Sequence, residues 1–332
     1  MTSPRNGSPA RAVVLGGGGA VGVGWQTGLL TGLREAGVDL AGAEAVLGTS
    51  AGALVGALLA SGRDAADALG SLAALGQNID RGSLRAGNDA FLSAMRNLSE
   101  MRLASPGKTD PRPELSAIGR AAQEASTLAE DAYLGLFGTL DGTPWPAAFR
   151  CTAIDADTGD LVVWDKESGV PLLHAVASSC VVPMLFPVVT IKGRRYMDGG
   201  ILSHLNATAV PPTDVVVVLS AHPLGSKGMG PGRELTASDA TANAELAQLR
   251  ETRQLIAVEP DFSDLNVTEG QMMDPDVAIQ ALQIGKRQAK RQAAAIQAAW
   301  WVSPAGVEGS SDRENQPRNA GIELRGQRAL DF

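Results

Sequence analysis

The strongest constraint on the fold is a pattern that occurs twice in the first 62 residues. A short apolar segment, RAVVL at residues 11–15, runs into four consecutive glycines and then into apolar residues at helical spacing. The segment AEAVLG at 43–48 runs in the same way into SAGALVGALLASG. Strand, glycine turn and helix in alternation predict a parallel sheet that is covered by helices.

The remaining chain adds a helical segment and more strands to this α/β core. Residues 63–140 are rich in alanine and in helix formers, which predicts a helical insertion or cap. Further strands are predicted at 148–157, 161–165 and 214–220, with a hairpin over 188–198 that turns at Lys192-Gly193, and helices at about 240–256 and 276–300. Residues 1–10 are expected to be a flexible N-terminus, 11–302 one catalytic domain, and 303–332 a disordered polar tail.

Composition excludes several classes of protein. The net charge of −8 argues against a nucleic-acid partner, because phosphate binding needs clustered Lys and Arg.

Cys151 and Cys180 both lie in apolar stretches and are expected to be free thiols, which fits a reducing compartment. No apolar run approaches the ~20 residues that span a bilayer. The expected location is therefore cytoplasmic.

The first candidate site is the glycine run Gly16–Gly22. Gly17, Gly19 and Gly22 satisfy G-x-G-x-x-G between a strand and a helix, and Asp39 follows about 20 positions later, as in dinucleotide-binding folds. The same backbone N–H groups could instead stabilise an oxyanion at a helix N-terminus. The motif by itself fits both interpretations.

The second candidate is Gly48-Thr49-Ser50-Ala51-Gly52, a G-x-S-x-G sequence between a predicted strand and a predicted helix. This is the context of a nucleophile elbow, where a serine oxygen is exposed on a tight turn. The alternative is that Ser50 is only the N-cap of the helix.

A nucleophilic serine needs a base, and the chain offers two kinds. Each of the three histidines, His174, His204 and His222, is expected to be an ordinary surface or core residue. His222, which follows a predicted strand, is the one that suits a Ser-Asp-His esterase. Asp198, in the sequence Asp198-Gly199-Gly200 at the end of a predicted strand, is the other candidate. A carboxylate can accept the serine proton if burial raises its basicity.

In this order, the three motifs resemble the patatin-like phospholipase family. The resemblance implies a three-layer α/β/α sandwich with a mainly parallel sheet. It also implies a Ser-Asp dyad of Ser50 and Asp198, an oxyanion hole from Gly17, Gly18 and Gly19, and lipid degradation by acyl ester hydrolysis of the phospholipase A or lysophospholipase kind. The alternatives that stay open are a Ser-Asp-His carboxylesterase using His222 and a non-catalytic dinucleotide-binding module.

The chain departs from the family at Val21, where the glycine loop usually carries Arg or Lys. An acyl lipid substrate would also require transient contact with a membrane surface. Residues 89–103 are a candidate mobile cap over the site, although an ordinary amphipathic core helix explains them as well.

The scattered His and Cys residues show no metal-ligand spacing, so neither a metal nor another cofactor is predicted. The oligomeric state is left open.

Overall fold

The computed structural model describes residues 10–78, 81–104, 110–225, 235–261, 267 and 269–301. Nearly all of the predicted flexible N-terminus and the whole predicted tail at 303–332 lie outside these residues. The glycine-rich stretch at 226–234 does so as well.

Within the described residues, eight strands join in one sheet and nine α-helices accompany it. The strands are β1 (Arg11–Leu15), β2 (Ala45–Thr49), β3 (Phe149–Asp155), β4 (Leu161–Trp164), β5 (Val189–Ile191), β6 (Arg194–Asp198), β7 (Val215–Leu219) and β8 (Gln254–Val258). The helices are α1 (Gly19–Glu35), α2 (Ala51–Ala60), α3 (Ala68–Asn78), α4 (Arg81–Ala104), α5 (Arg112–Glu124), α6 (Glu130–Gly135), α7 (Leu172–Ser179), α8 (Ala237–Arg250) and α9 (Pro275–Trp301).

The sheet is parallel at its centre and antiparallel at one side. Its order is β5-β6-β3-β2-β1-β7-β8, and β4 pairs separately with β3. The pairs β1–β2, β1–β7, β2–β3 and β7–β8 are parallel, whereas β3–β4, β3–β6 and β5–β6 are antiparallel. The predicted mainly parallel α/β sheet is confirmed.

Alternate side chains of the central strands pack into two separate hydrophobic cores. In β1, Val13 and Leu15 join the core that contains α1, α2, α7 and α9. Ala12 and Val14 join a second core, which contains Leu246 and other residues of α8. Because strand side chains alternate between the two faces of a sheet, the two cores lie on opposite faces. The fold is a three-layer α/β/α sandwich, as the family resemblance implies.

The C-terminal helix α9 packs on α1 at very short range, through a row of glycines. A Cβ atom at Gly24 would lie 2.1 Å from the Ala278 carbonyl oxygen, and one at Gly28 would lie 2.0 Å from that of Leu282. In the opposite direction, a Cβ at Gly285 would lie 2.3 Å from the Trp25 oxygen. The two helix backbones therefore approach where small residues permit it, and this packing fixes α9 against the sheet.

One predicted element was wrong in part. A helix was expected at about 240–256, but α8 ends at Arg250 and residues Gln254–Val258 form β8 at the edge of the sheet. The apolar segment LIAV pairs with β7 in parallel. The five residues of β8 are too few to show a clear alternation beside a helix-forming segment, and tertiary pairing decides their conformation.

The α1–α9 contact predicts a sharp difference between two glycine-to-alanine substitutions. Gly28→Ala should lower the free energy of unfolding by about 1–3 kcal/mol, because its methyl group forces the helices apart. Gly70→Ala is the control, since Gly70 is exposed within α3 and a Cβ there meets nothing within 4 Å. The control substitution should raise the free energy of unfolding by roughly 0.5–1 kcal/mol, because alanine has a higher helix propensity than glycine. Urea unfolding measures both, and equal effects would contradict the close approach.

Candidate active site

Ser50 lies on a sharp turn between β2 and α2, with backbone angles of φ 54° and ψ −121°. The flanking glycines make this turn sterically possible. A Cβ at Gly48 would lie 2.4 Å from the Gly52 oxygen, and one at Gly52 would lie 2.1 Å from the Leu15 oxygen. The G-x-S-x-G pattern thus reflects the close packing of α2 on β1 and β2 around a residue with strained backbone angles.

The backbone of Ser50 is held from α7, which leaves its side chain for another role. The Ser50 N–H donates to Ser179 Oγ at 2.9 Å, and Cys180 Sγ lies 3.1 Å from the Ser50 carbonyl oxygen, to which it donates. Ser50 occupies the N-cap position of α2, but its side chain makes no capping hydrogen bond. Burial raises the pKa of the Cys180 thiol well above its usual value, so this thiol stays neutral beside the serine.

The register of β3 brings Asp198 to Ser50. Thr152 of β3 pairs with Thr49, the last residue of β2, and the next residue, Ala153, pairs with Asp198 at the end of β6. Since β4 pairs with the opposite edge of β3 over these residues, β2 and β6 use the same edge, one after the other. Ser50, which follows the last residue of β2, therefore lies next to Asp198, the last residue of β6.

The carboxyl group of Asp198 is buried and accepts two hydrogen bonds. The side chain of Ser50 donates one, and the Gly200 N–H donates the other to Oδ1 at 2.7 Å. Burial raises the pKa of Asp198 to about 7, and the two hydrogen bonds oppose that shift without cancelling it. Asp198 is therefore a carboxyl group that exchanges a proton near neutral pH. Gly199 packs against Thr152, where a Cβ would lie 2.5 Å from Oγ1.

A buried amide that sequence reasoning missed supports this junction. Asn206 Nδ2 lies 3.2 Å from the hydroxyl oxygens of both Thr49 and Thr152, 3.1 Å from the Gly199 oxygen and 2.7 Å from the Ser203 oxygen. The two threonine hydroxyls are themselves 2.8 Å apart. The network ties the end of β2 to the turn after Asp198, and only its three-dimensional arrangement reveals it.

The glycine loop after β1 faces the same site. The Gly17 N–H donates to the His204 oxygen at 2.7 Å, so this amide is already used within the protein. Gly18 and Gly19 have positive φ angles of 155° and 56°, and α1 begins at Gly19, where N–H groups have no partner within the helix. Both residues line the cavity that contains Ser50.

The other glycines of the loop are structural. The Gly16 N–H donates to Leu219 at the end of β7, and the Gly22 N–H donates to the Gly18 oxygen. A Cβ at Gly22 would lie 3.2 Å from that of Ala51, so this glycine lets α1 lie close to the elbow.

Two cavities meet at Ser50. The larger cavity, of about 130 Å³, includes Ser50, Asp198, Gly18 and Gly19, together with a group of polar side chains. The smaller cavity, of about 70 Å³, is almost entirely apolar. Four residues line both cavities: Gly19, Ser50, Val182 and Met273. The polar group of the larger cavity comprises His204, His222, Thr236, Ser238 and Asp239, and the smaller cavity includes Ala20, Val23, Leu54, Ser71, Leu136, Phe137 and Phe186.

The candidate cap segment covers the larger cavity with part of α4. Phe91, Leu92 and Met95 line this cavity, while Arg96 is exposed. The apolar side of this helix therefore faces the site, as far as its side chains are described. Mobility of the segment and its transient contact with a membrane surface remain predictions.

The alternative candidates lie in less suitable places. His222 lines the larger cavity, but the hydrogen bond from the Ser50 side chain goes to Asp198. His174 is half-buried on α7. Asp39 is exposed, precedes β2 and bonds to the Ala41 N–H, whereas dinucleotides bind beyond the carboxyl ends of parallel strands. The acidic residue of the dinucleotide interpretation is therefore at the wrong end of the strand.

Comparison with known proteins identifies the family of the chain. The sequence model of the patatin-like phospholipase family matches residues 13–211, which is more than half of the 332-residue chain. The chain belongs to the patatin-like phospholipase family. Uncharacterized NTE family proteins of Mycobacterium bovis and Mycobacterium tuberculosis are 29% identical over 315 residues, covering 86% of this chain and 46% of each relative. The chain thus spans about half the length of these curated relatives.

Two solved structures are similar at a lower level. VipD from Legionella pneumophila is 16% identical, with a TM-score of 0.38, over 86% of this chain and 67% of VipD. ExoU of Pseudomonas aeruginosa, solved in complex with SpcU, is 20% identical, with a TM-score of 0.36, over 88% of this chain and 53% of ExoU.

The chain departs from the family pattern at Val21, and the structure shows how the valine side chain packs. The Val21 side chain is 2% exposed and belongs to the core on the α1 side of the sheet. Its N–H donates to the Met272 oxygen at 3.0 Å. Valine at this position therefore packs as a core residue. No helix in the described parts of the chain is long and apolar enough to cross a membrane.

The buried carboxyl group predicts an unusual pH dependence of stability for Asp198→Asn. Below about pH 4 the Asp198 carboxyl is protonated in both the folded and the unfolded state, so the two proteins should be similarly stable. Between about pH 4 and pH 7 the unfolded state loses this proton while the folded state keeps it, so the natural protein loses stability as the pH rises. At pH 8 the variant should be more stable by as much as about 4 kcal/mol, which corresponds to about three pKa units.

Urea unfolding of both proteins from pH 4 to pH 8 measures this difference. Other titrating groups are common to the two proteins and cancel in the comparison. A difference that does not grow with pH would show that the folded state does not raise the pKa of Asp198.

Proposed function

We propose that this protein is a serine acyl ester hydrolase of the phospholipase A or lysophospholipase kind, with Ser50 as nucleophile and Asp198 as general base. The observation that carries the proposal is the hydrogen bond from the Ser50 side chain to a buried carboxyl group with a pKa of about 7. Membership of the patatin-like phospholipase family supports lipid hydrolysis as the class of reaction.

The acylation step uses the hydrogen bond that is already formed. Ser50 Oγ attacks the ester carbonyl carbon while its proton passes to Asp198, and the carbonyl oxygen becomes an oxyanion. The protonated Asp198 then gives this proton to the departing alcohol oxygen, which leaves an acyl group on Ser50. A pKa near 7 suits both halves of this exchange, because a general base works best when its pKa is close to the working pH.

The oxyanion is assigned to the N–H groups of Gly18 and Gly19. These residues line the cavity beside Ser50, at the N-terminus of α1, where the helix dipole also favours negative charge. Gly17 is not proposed as a donor, since its N–H is bound to His204; it positions the loop. In deacylation, water attacks the acyl carbon, Asp198 accepts its proton, and the acid is released as Ser50 regains a hydrogen.

The two cavities suggest how an ester is oriented. The almost wholly apolar smaller cavity is proposed to hold the acyl chain, and the larger cavity, with its polar side chains, the alcohol portion. An acyl lipid is accordingly the proposed substrate class. No cofactor takes part in these steps.

The dyad predicts different effects for three substitutions. Ser50→Ala should abolish hydrolysis of p-nitrophenyl butyrate, and Asp198→Asn should lower kcat/KM by about 10²–10⁴-fold, the usual contribution of a general base. His222→Ala should retain far more activity than Asp198→Asn. Steady-state kinetics in the presence of a chelator, with covalent labelling by a fluorophosphonate, measure all three.

One outcome would contradict the Ser-Asp dyad, and another would contradict the hydrolase itself. If His222→Ala loses as much activity as Ser50→Ala while it remains folded, the base is the histidine and the Ser-Asp-His alternative is correct. If the natural protein neither hydrolyses the ester nor reacts with the fluorophosphonate, yet binds NAD(P) or FAD with micromolar affinity, the dinucleotide interpretation replaces the hydrolase.

The smaller cavity predicts a change in acyl-chain preference when it is narrowed. Ser71 of α3 is buried and lines this cavity, so Ser71→Leu should fill part of it. The ratio of kcat/KM for the hexanoate ester to that for the acetate ester should fall about tenfold or more, because a few methylene groups in an apolar pocket are worth 10–200-fold each. Ala73→Leu, which is exposed on the same helix, is the matched control and should leave the ratio unchanged.

A uniform fall for both esters in Ser71→Leu would point to a general loss of folding. An unchanged ratio would place the acyl chain elsewhere.

A further inference from the structure

Three potential metal ligands converge in the wall of the larger cavity. His204 Nδ1 lies 3.5 Å from Asp239 Oδ1, and His222 Nδ1 lies 3.9 Å from the same oxygen. The two imidazole rings are stacked, with centroids 4.8 Å apart. The side chains of His204 and Asp239 are only 4% and 3% exposed, and that of His222 is 22% exposed. The cluster comes from three separate segments of the chain, and none of its side chains transfers a proton in the proposed hydrolysis.

Hydrogen bonds within the protein select the tautomer of His204. Ser220 Oγ donates its single proton to the His222 oxygen at 2.7 Å. Ser220 Oγ must therefore accept when it meets His204 Nε2 at 3.2 Å, so the proton of this imidazole lies on Nε2. The other ring nitrogen, Nδ1, faces the Asp239 carboxylate at 3.5 Å and is the atom that would bind a cation.

Asp239 is oriented by the helix that carries it. Its Oδ2 accepts from Thr236 Oγ1 at 2.7 Å and from the Thr236 N–H at 2.9 Å, in the capping box of α8. These two bonds leave Oδ1 directed at the two imidazoles. A metal ligand is typically held in this way by a second hydrogen-bonding partner, as Ser220 also holds His204.

We propose that His204, His222 and Asp239 bind a divalent transition-metal ion of the Zn²⁺ class. Ligands at about 2.0–2.1 Å from a tetrahedral zinc ion lie roughly 3.3 Å from one another, so the observed 3.5 Å and 3.9 Å require only small side-chain movements. The three ligating atoms all lie within 4.8 Å of one another. Two imidazoles and one carboxylate are a common zinc donor set.

Three protein ligands leave the fourth position of a tetrahedral ion for a molecule from the cavity. Because all three residues line the larger cavity, that position is reached from the same space as Ser50. The site does not take part in the Ser50–Asp198 chemistry. Metal binding and ester hydrolysis can therefore be tested, and can fail, independently.

The test is a titration of the full-length protein after dialysis against a chelator. Co²⁺ is added and followed by its visible absorption, and Zn²⁺ uptake is measured by equilibrium dialysis with metal analysis. The natural protein should bind one equivalent of each, and the Co²⁺ spectrum should have the strong visible bands of four-coordinate cobalt. Ser50→Ala should bind equally well, which keeps this result separate from the fate of the proposed hydrolase.

Variants locate the ion within the chain. His222→Ala and Asp239→Asn should each lose the stoichiometric uptake, whereas His174→Ala, which changes a histidine on α7, should keep it. Ser220→Ala removes the hydrogen-bond partner of His204 and should weaken binding by about 10–100-fold. Urea unfolding without metal checks that each variant is folded.

Three results would overturn the proposal. The first is that the natural protein takes up no saturable equivalent of either metal. The second is a Co²⁺ spectrum with only the weak bands of a six-coordinate ion on surface oxygens. The third is equal uptake by folded His222→Ala and the natural protein. If no metal is taken up, a proton between His204 and Asp239 accounts for their close approach.

Discussion

The edge of β3 is the feature on which the rest of the site depends. This edge is occupied by β2 up to Thr152 and by β6 from Ala153 onward. It can be shared because the chain leaves β2 at Ser50, where a positive φ angle directs it into α2. A register shift of β6 by one residue would turn Asp198 to the opposite face of the sheet. The proximity of Ser50 and Asp198 is thus a consequence of strand pairing.

Two features at the centre of the protein are unfavourable. The backbone of Ser50 is strained, at a typical cost of about 1–3 kcal/mol, and the Asp198 carboxyl group is buried. Ser179 holds the strained backbone, and Asn206 ties together the strand ends next to Ser50 and Asp198. Raising the pKa of Asp198 lowers stability at neutral pH, but the same burial makes the carboxylate more basic, as the proposed proton transfer from Ser50 requires.

The sequence predicts those parts of this arrangement that depend on neighbouring residues. The strand-to-helix turn at Ser50 and the hairpin turn at Lys192-Gly193 each have local steric causes, and both turns lie at the predicted positions. Strand β8 was missed, because its pairing with β7 and not its own sequence fixes its conformation. The cluster of His204, His222 and Asp239 could not be predicted, since no spacing relates a turn after β6, a loop after β7 and the first turn of α8.

The C-terminal part of the chain completes a site whose motifs all lie earlier. The family match ends at residue 211, yet His222, Asp239, Met272 and Met273 line the larger cavity. Met272 also accepts the N–H of Val21 in the first turn of α1, next to the proposed oxyanion donors. Because α9 is fixed on α1 through glycine contacts, the segment before it is held against the glycine loop. The motifs within 13–211 therefore contain the proposed reacting groups, and residues beyond 211 form part of the wall of the cavity around them.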